Sequence, residues 1–111
     1  MLKTLTTLTA VASIAGLLFT NQAAAYNRHV DIVNNSDLAI VEFHASNVGE
    51  NLWGPDLLGH IVLTPGDDAD INLDDGSGYC RFDFLTIMDD GTRLVRPRVN
   101  VCEVASYTVN N

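Results

Sequence analysis

From Arg28 to Val109 the chain holds a helical period for no more than one turn. Instead, short runs alternate apolar and polar residues, and turn chemistry closes each run after about 8 to 12 residues. That rhythm excludes helical bundles and α/β folds, and it predicts short antiparallel strands. "RHVDIV", residues 28–33, puts Val30 and Ile32 on one face and His29 and Asp31 on the other. "NNSD", 34–37, is a turn cluster that predicts a hairpin into "LAIVEFHAS", 38–46. There Ala39, Val41, Phe43 and Ala45 face one way, and Ile40, Glu42 and His44 the other.

Beyond a polar loop, "WGPDLLG" predicts one helical turn, with Pro55 preset for its first position and Gly59 ending it. "HIVL" reads as a strand closed by Thr64-Pro65-Gly66, and "DADINL" as a strand with Ala69, Ile71 and Leu73 inward. "YCRFDFLTIM" is the longest strand. Asp89-Asp90-Gly91 turns it into "TRLVRPRVNVCEVASYTV", one or two strands broken near Pro97. About seven short strands predict a small two-sheet β-sandwich of immunoglobulin-like type, with a small open β-barrel as the alternative.

The first 25 residues read differently. Lys3, an apolar run from Leu8 to Phe19 and Ala23-Ala24-Ala25 form a signal-peptide pattern, with cleavage expected before Tyr26. The apolar run is shorter than the roughly 20 residues of a membrane span. Residues 26–111 are then one domain, periplasmic or secreted, with no membrane insertion after cleavage. Its only cysteines, Cys80 and Cys102, form a disulfide by default in an oxidising compartment. If facing residues across the Asp89–Gly91 turn add up to 180 or 181, the cysteines are one or two out of step. A bulge at Pro97 would absorb the difference.

Five Arg, no Lys and fourteen Asp plus Glu leave residues 26–111 with a formal charge of −9. Such a surface repels nucleic acid and anionic lipid, and suits a cation or a basic protein partner. "DDADINLDDGSG" concentrates the charge. Asp68, Asp70, Asn72 and Asp74 project from one strand face, with Asp67 and Asp75 beside them. As an EF-hand starting at Asp70 it fails, having Asp75 at position six and Arg81 at position twelve. A calcium site of another kind would use Asp68, Asp70, Asp74 and Asp75, joined by Asp89 and Asp90. The plainer reading is a solvated strand face partly neutralised by Arg81, Arg93, Arg96 and Arg98.

A hairpin over "NNSD" would set His29 opposite Glu42 beside His44 and Asp31, a donor set for a transition metal or for an ordinary wet strand face. Trp53 is expected to plug one end of the sandwich. Alternatively, Trp53 with Leu52, Leu57 and Leu58 forms an exposed apolar patch for a partner. No G-x-S-x-G elbow, glycine-rich phosphate loop or H-E-x-x-H occurs.

Taken together, "IVEFHASNVGENLWGPDLLGHIVLTPG", "INLDDGSGYCRFD", "DDG" and "VNVCE" resemble a group of small exported proteins of Gram-negative bacteria. The pattern of that group is IVEFYASN, W-x-x-D-x-L-G, L-x-P-G, DDG-x-GYC-x-FD, DDG and VNVCE. His44 stands where the pattern has Tyr, which separates the histidine cluster from the group. Members are generally called uncharacterised, and some carry the label argininosuccinate lyase. Argininosuccinate lyases are large, helical, tetrameric enzymes, and nothing in these residues supports that label. The expectation is a non-enzymatic binding or envelope protein. The alternatives are a metal binder or an inhibitor that offers an acidic loop to a basic enzyme cleft.

Overall fold

The computed structural model describes residues 27–111, so the signal segment expected at 1–25 lies outside the described residues. The fold is all-β, built from six strands: β1 (His29–Asn34), β2 (Ile40–Asn47), β3 (Asp68–Asn72), β4 (Arg81–Met88), β5 (Arg93–Asn100) and β6 (Ser106–Val109). They form two three-stranded sheets, ordered β3-β1-β6 and β2-β4-β5. The sheets pack as a β-sandwich around one core.

Alternation works as expected where one face is buried. Val30 and Ile32 of β1 and Ile71 of β3 point inward with Leu73, while His29, Asp68 and Asp70 point outward. Facing them are Phe43, Phe82, Phe84 and Met88 from the other sheet. Phe84 sits at the centre, edge-on to Phe43 at 5.0 Å and to Tyr107 of the opposite sheet at 5.1 Å. Such aromatic pairs add to the burial energy of the rings themselves.

Four expectations for the segment from β1 to β3 are corrected. First, the hairpin between β1 and β2 does not form. β1 pairs antiparallel with β3 and parallel with β6, and β2 pairs with β4. Residues 34–38 cross between the sheets instead, because Asn34 is wholly buried and tied to three other segments. Its Nδ2 donates to the carbonyls of Leu38 and Leu63, both at 2.8 Å, and its Oδ1 accepts from the amide and hydroxyl of Ser36. The amide of the next residue, Asn35, reaches the carbonyl of Val109. Second, a bulge between Ile40 and Glu42 shifts the phase of β2, so Ile40 joins Phe43 in the core.

Third, "HIVL" shrinks to one bridge, Leu63 to Ile40, with Ile61 and Val62 exposed, so six strands form rather than seven. Fourth, "WGPDLLG" forms turns rather than a helical turn. The Asp56 carboxylate accepts from the amides of Leu58 and Phe43, and the Leu57 amide donates to the carbonyl of Phe43. This loop therefore satisfies the outer edge of β2 as a strand would.

The last hairpin keeps the expected register. Ile87 faces Arg93 and Phe84 faces Arg96, then one extra residue intervenes and Phe82 faces Val99. The extra residue lies at Pro97-Arg98, where Arg98 has φ 55° and donates its amide to Asp83. The shift brings Cys80 and Cys102 together as a disulfide. The break in the C-terminal segment falls after Asn100 rather than at Pro97, and the chain then crosses to β6 in the other sheet.

One core group is unsatisfied. Among the described residues, Thr86 Oγ1 is buried without a hydrogen-bond partner. Burial raises the pKa of the nearby Tyr107 hydroxyl, opposed by the Arg96 charge and the Thr86 hydroxyl, yet the two hydroxyls do not reach bonding geometry. Thr86→Val keeps the shape and removes the orphan, so we expect a gain of about 1 kcal/mol in urea unfolding. A loss would mean that the hydroxyl is satisfied in solution.

Candidate functional site

The aspartate stretch divides into two places. Asp68 and Asp70 lie on the outer face of β3, and Asp31 of β1 sits directly opposite Asp70. Asp31 has a raised pKa, first through a hydrogen bond shared with Asp68, then through partial burial and the charges of Asp68 and Asp70. His29 Nδ1 lies 2.8 Å from Asp70 Oδ2. The arginines expected to neutralise this face are elsewhere. Arg81 begins β4, and Arg93, Arg96 and Arg98 lie on β5 of the other sheet.

A raised carboxyl pKa means that the folded state binds its proton more tightly than the unfolded chain does. The stability this contributes is complete below the ordinary value of 3.8 and is lost as pH rises through the raised one. Asp31→Asn removes the repulsion and should gain a few tenths to about 1 kcal/mol at pH 7. That gain should shrink toward pH 3.5 when both proteins are melted side by side. A variant less stable at pH 7 would refute the repulsion.

His29 stands apart from Glu42 and His44 because β1 and β2 belong to different sheets. His44 Nε2 contacts Glu42 Oε1 at 2.7 Å, and Nδ1 meets the Gly54 carbonyl at 2.9 Å. Burial alone would lower the His44 pKa. The bonds to Glu42 and Gly54, with the charges of Glu42 and Asp56, outweigh it and raise the value. His44 thus anchors the 54–57 loop to β2. Among the described residues, no three or more His, Cys, Asp or Glu side chains are arranged to hold a metal ion.

The other half of the aspartate stretch builds a cleft. Past Leu73 the chain turns through Asp74 and Asp75, while past Asn47 it turns through Gly49 and Glu50. Between these loops, at the seam where β2 and β3 edge their sheets, lies a hollow of about 310 Å³. Its apolar lining is Ala45, Leu52, Pro55, Leu57, Leu73 and Phe82, and its carboxylates are Glu50, Asp74 and Asp75. Leu52 is 73% exposed, an aliphatic side chain held out in water at the rim.

Buried Asn47 fixes this geometry. Its Nδ2 donates to Asp75 Oδ2 at 2.9 Å and to Glu50 Oε1 at 3.2 Å, and its Oδ1 accepts from the Gly49 amide. One side chain therefore positions acids from two loops. The Asp75 pKa is also displaced. Burial pushes it up, but hydrogen bonds from Ser77 and Asn47 outweigh burial and bring it below the ordinary value. Asp74 caps its own turn by accepting from the Gly76 amide. Arg28 holds the far end of the loop by donating to the carbonyls of Gly78 and Tyr79.

Trp53 does not plug the sandwich. It lies outside the core, partly exposed, in a smaller hollow of about 150 Å³ with Ser46, Glu50, Asn51, Leu52 and Asp83. Leu52 and Glu50 belong to both hollows, which makes Trp53 and the cleft neighbours on one surface. Sequence reasoning found Trp53, Leu57, Asp74 and Asp75 but missed Asn47, Glu50, Leu73 and Phe82 as parts of this site. Asn-x-Gly at 47–49 does signal a side-chain-capped turn, which the hydrogen bond from Gly49 to Asn47 forms. No family model, curated protein or solved structure matches the chain.

Proposed function

We propose that the protein is an exported, disulfide-closed binding module, without enzymatic activity, whose cleft between β2 and β3 takes a basic, apolar-containing segment of another protein. The observation that carries this reading is the composition of the cleft, an aliphatic and aromatic floor under three carboxylates. An aliphatic or aromatic side chain would leave water on the floor while flanking Arg or Lys residues meet the rim. Asp75, held below its ordinary pKa, stays charged through mildly acidic conditions. Export is supported by the signal pattern of residues 1–25 and by the disulfide, which persists in the periplasm or outside the cell.

The test is a titration of the oxidised domain, followed by NMR, with a capped peptide alternating Arg and Leu. A peptide alternating Glu and Leu is the control. Shifts should appear at Ala45, Leu57, Leu73 and Asp74 with the basic peptide only, and weaken with salt. Glu50→Gln and Asp74→Asn keep the turn hydrogen bonds and should each weaken binding roughly two- to fivefold. Leu52→Ser, at an exposed position that the fold does not need, should weaken it about tenfold. Equal shifts with both peptides, or affinities unchanged in the three variants, would rule the cleft out.

A further inference from the structure

The sandwich has a second open seam, and its chemistry is the reverse of the first. With strand orders β3-β1-β6 and β2-β4-β5, edge strands β5 and β6 flank the side away from the acidic cleft. Between them lies a hollow of about 320 Å³ lined by residues 96–100, Val104, Ser106 and Tyr107. Two of its lining residues, Arg96 and Arg98, are cationic, and none is acidic. Ser106, Asn100 and Tyr107 add neutral hydrogen-bonding groups, while Pro97, Val99 and Val104 supply an apolar flank.

The chain has fourteen acids and a large negative excess. Even so, neither Arg96 nor Arg98 makes an ion pair with any described residue. Charge on an exposed edge strand discourages pairing with other chains, and Arg93 and Pro97 already serve that purpose on β5. Arg98 asks for more explanation. Its φ of 55° lies in the left-handed region, where glycine would complete the same bulge at no steric cost. A long cationic side chain occupies that position against the backbone preference of an L residue. Its amide is fixed on Asp83, so the backbone that carries the guanidinium is held in place beside Arg96.

We propose that the β5–β6 seam is a binding site for an oxyanion, a carboxylate or a phosphate, carried on a small organic molecule and held between Arg96 and Arg98. Guanidinium groups match such oxygens in pairs, and two of them set on one hollow favour a dianionic or bidentate group. The apolar flank receives the organic part. The site is independent of the acidic cleft and stands or falls separately from it.

The experiment titrates the oxidised domain with phenyl phosphate, with benzoate and with inorganic phosphate, at constant ionic strength held by sodium chloride. NMR follows the arginine side-chain Nε–H signals and the Tyr107 amide. Saturable shifts at Arg96, Arg98 and Tyr107 are expected. Saturation by phenyl phosphate alone assigns a phosphate ligand, and saturation by benzoate alone a carboxylate. Arg98→Gly tests the side chain without endangering the fold, because glycine accepts the backbone conformation. It should be as stable as the parent or more so, and should bind at least about tenfold more weakly. Arg96→Gln should lose a similar factor. Shifts that fail to saturate, that chloride alone reproduces, or that persist unchanged in Arg98→Gly would overturn the proposal.

Discussion

Asn34→Asp is expected to destabilise the domain by about 3 kcal/mol or more at pH 7, although it changes a single amide nitrogen into oxygen. The wild-type amide uses both of its hydrogens, on the carbonyls of Leu38 and Leu63, and it is wholly buried. In the variant those two carbonyls would face a carboxylate oxygen, with no water to separate them. The two bonds accepted from Ser36 survive the change, so the loss isolates the donor side of the network.

The same substitution carries its own pH signature. Protonation restores one donor, so the buried carboxyl should titrate well above an exposed aspartate. Its penalty is then full at neutral pH and shrinks as the pH falls through that raised value. Urea unfolding of both proteins at pH 7 and pH 4 checks this. A difference that does not change with pH would mean that the side chain reaches water, and that Asn34 is not the pin between the sheets. A penalty of this size corresponds to a fall in Tm of roughly 12 to 24 °C for a domain of under 100 residues.

Asn34 also marks the boundary of what can be read from the chain. The strands β1 and β3 were legible because a period of two with one buried face leaves little choice. The four-residue cluster at 34–37 has the chemistry of a turn, but a tight hairpin and a crossing between sheets use the same residues. Only the burial of Asn34 separates them, and burial is a property of the whole fold. The bulge at Pro97 was legible because proline cannot donate to a ladder and the cysteines needed one more residue. The bulge at Val41 is announced by no such residue, so simple alternation puts Ile40 on the wrong face.

The binding surfaces were harder to read. The acidic cleft takes residues from 45–57, 72–75 and Phe82, and only the fold brings these segments together. Asp74 and Asp75 stand out in a run of acids, while Glu50, and Asn47 which joins it to Asp75, look like two loop residues among several. The arginines seemed ready partners for the aspartates because sequence carries no information about which sheet a strand enters. Once β3 and β5 fall in different sheets, the charges separate into an acidic seam and a basic one.

Replacing both cysteines, Cys80→Ala with Cys102→Ala, is expected to cost about 3 kcal/mol and again roughly 12 to 24 °C in Tm. The bond closes a stretch with a sequence separation of 22, which is where the loop-entropy estimate comes from. Its place in the fold predicts how the loss is distributed. At the turn end the hairpin is closed without it, by the bonds of Met88 and Gly91 and by Asp90, which caps Thr92. At the open end the register has already slipped by one residue at Arg98, and the chain leaves immediately for β6. Amide exchange in the variant should therefore accelerate first in β6 and at Val99–Asn100, while Leu85 to Leu94 keeps its relative protection. Uniform acceleration, or a loss below about 1 kcal/mol, would mean that the bond merely decorates a hairpin that holds without it. The expected pattern has a consequence for where the protein can work. β6 carries Tyr107 against Phe84, and Val109 binds Asn35 at the crossing between sheets, so loosening β6 opens the core from one side. In a reducing compartment the chain would lose that closure, and with it the β5–β6 seam lined by Arg96, Arg98 and Tyr107.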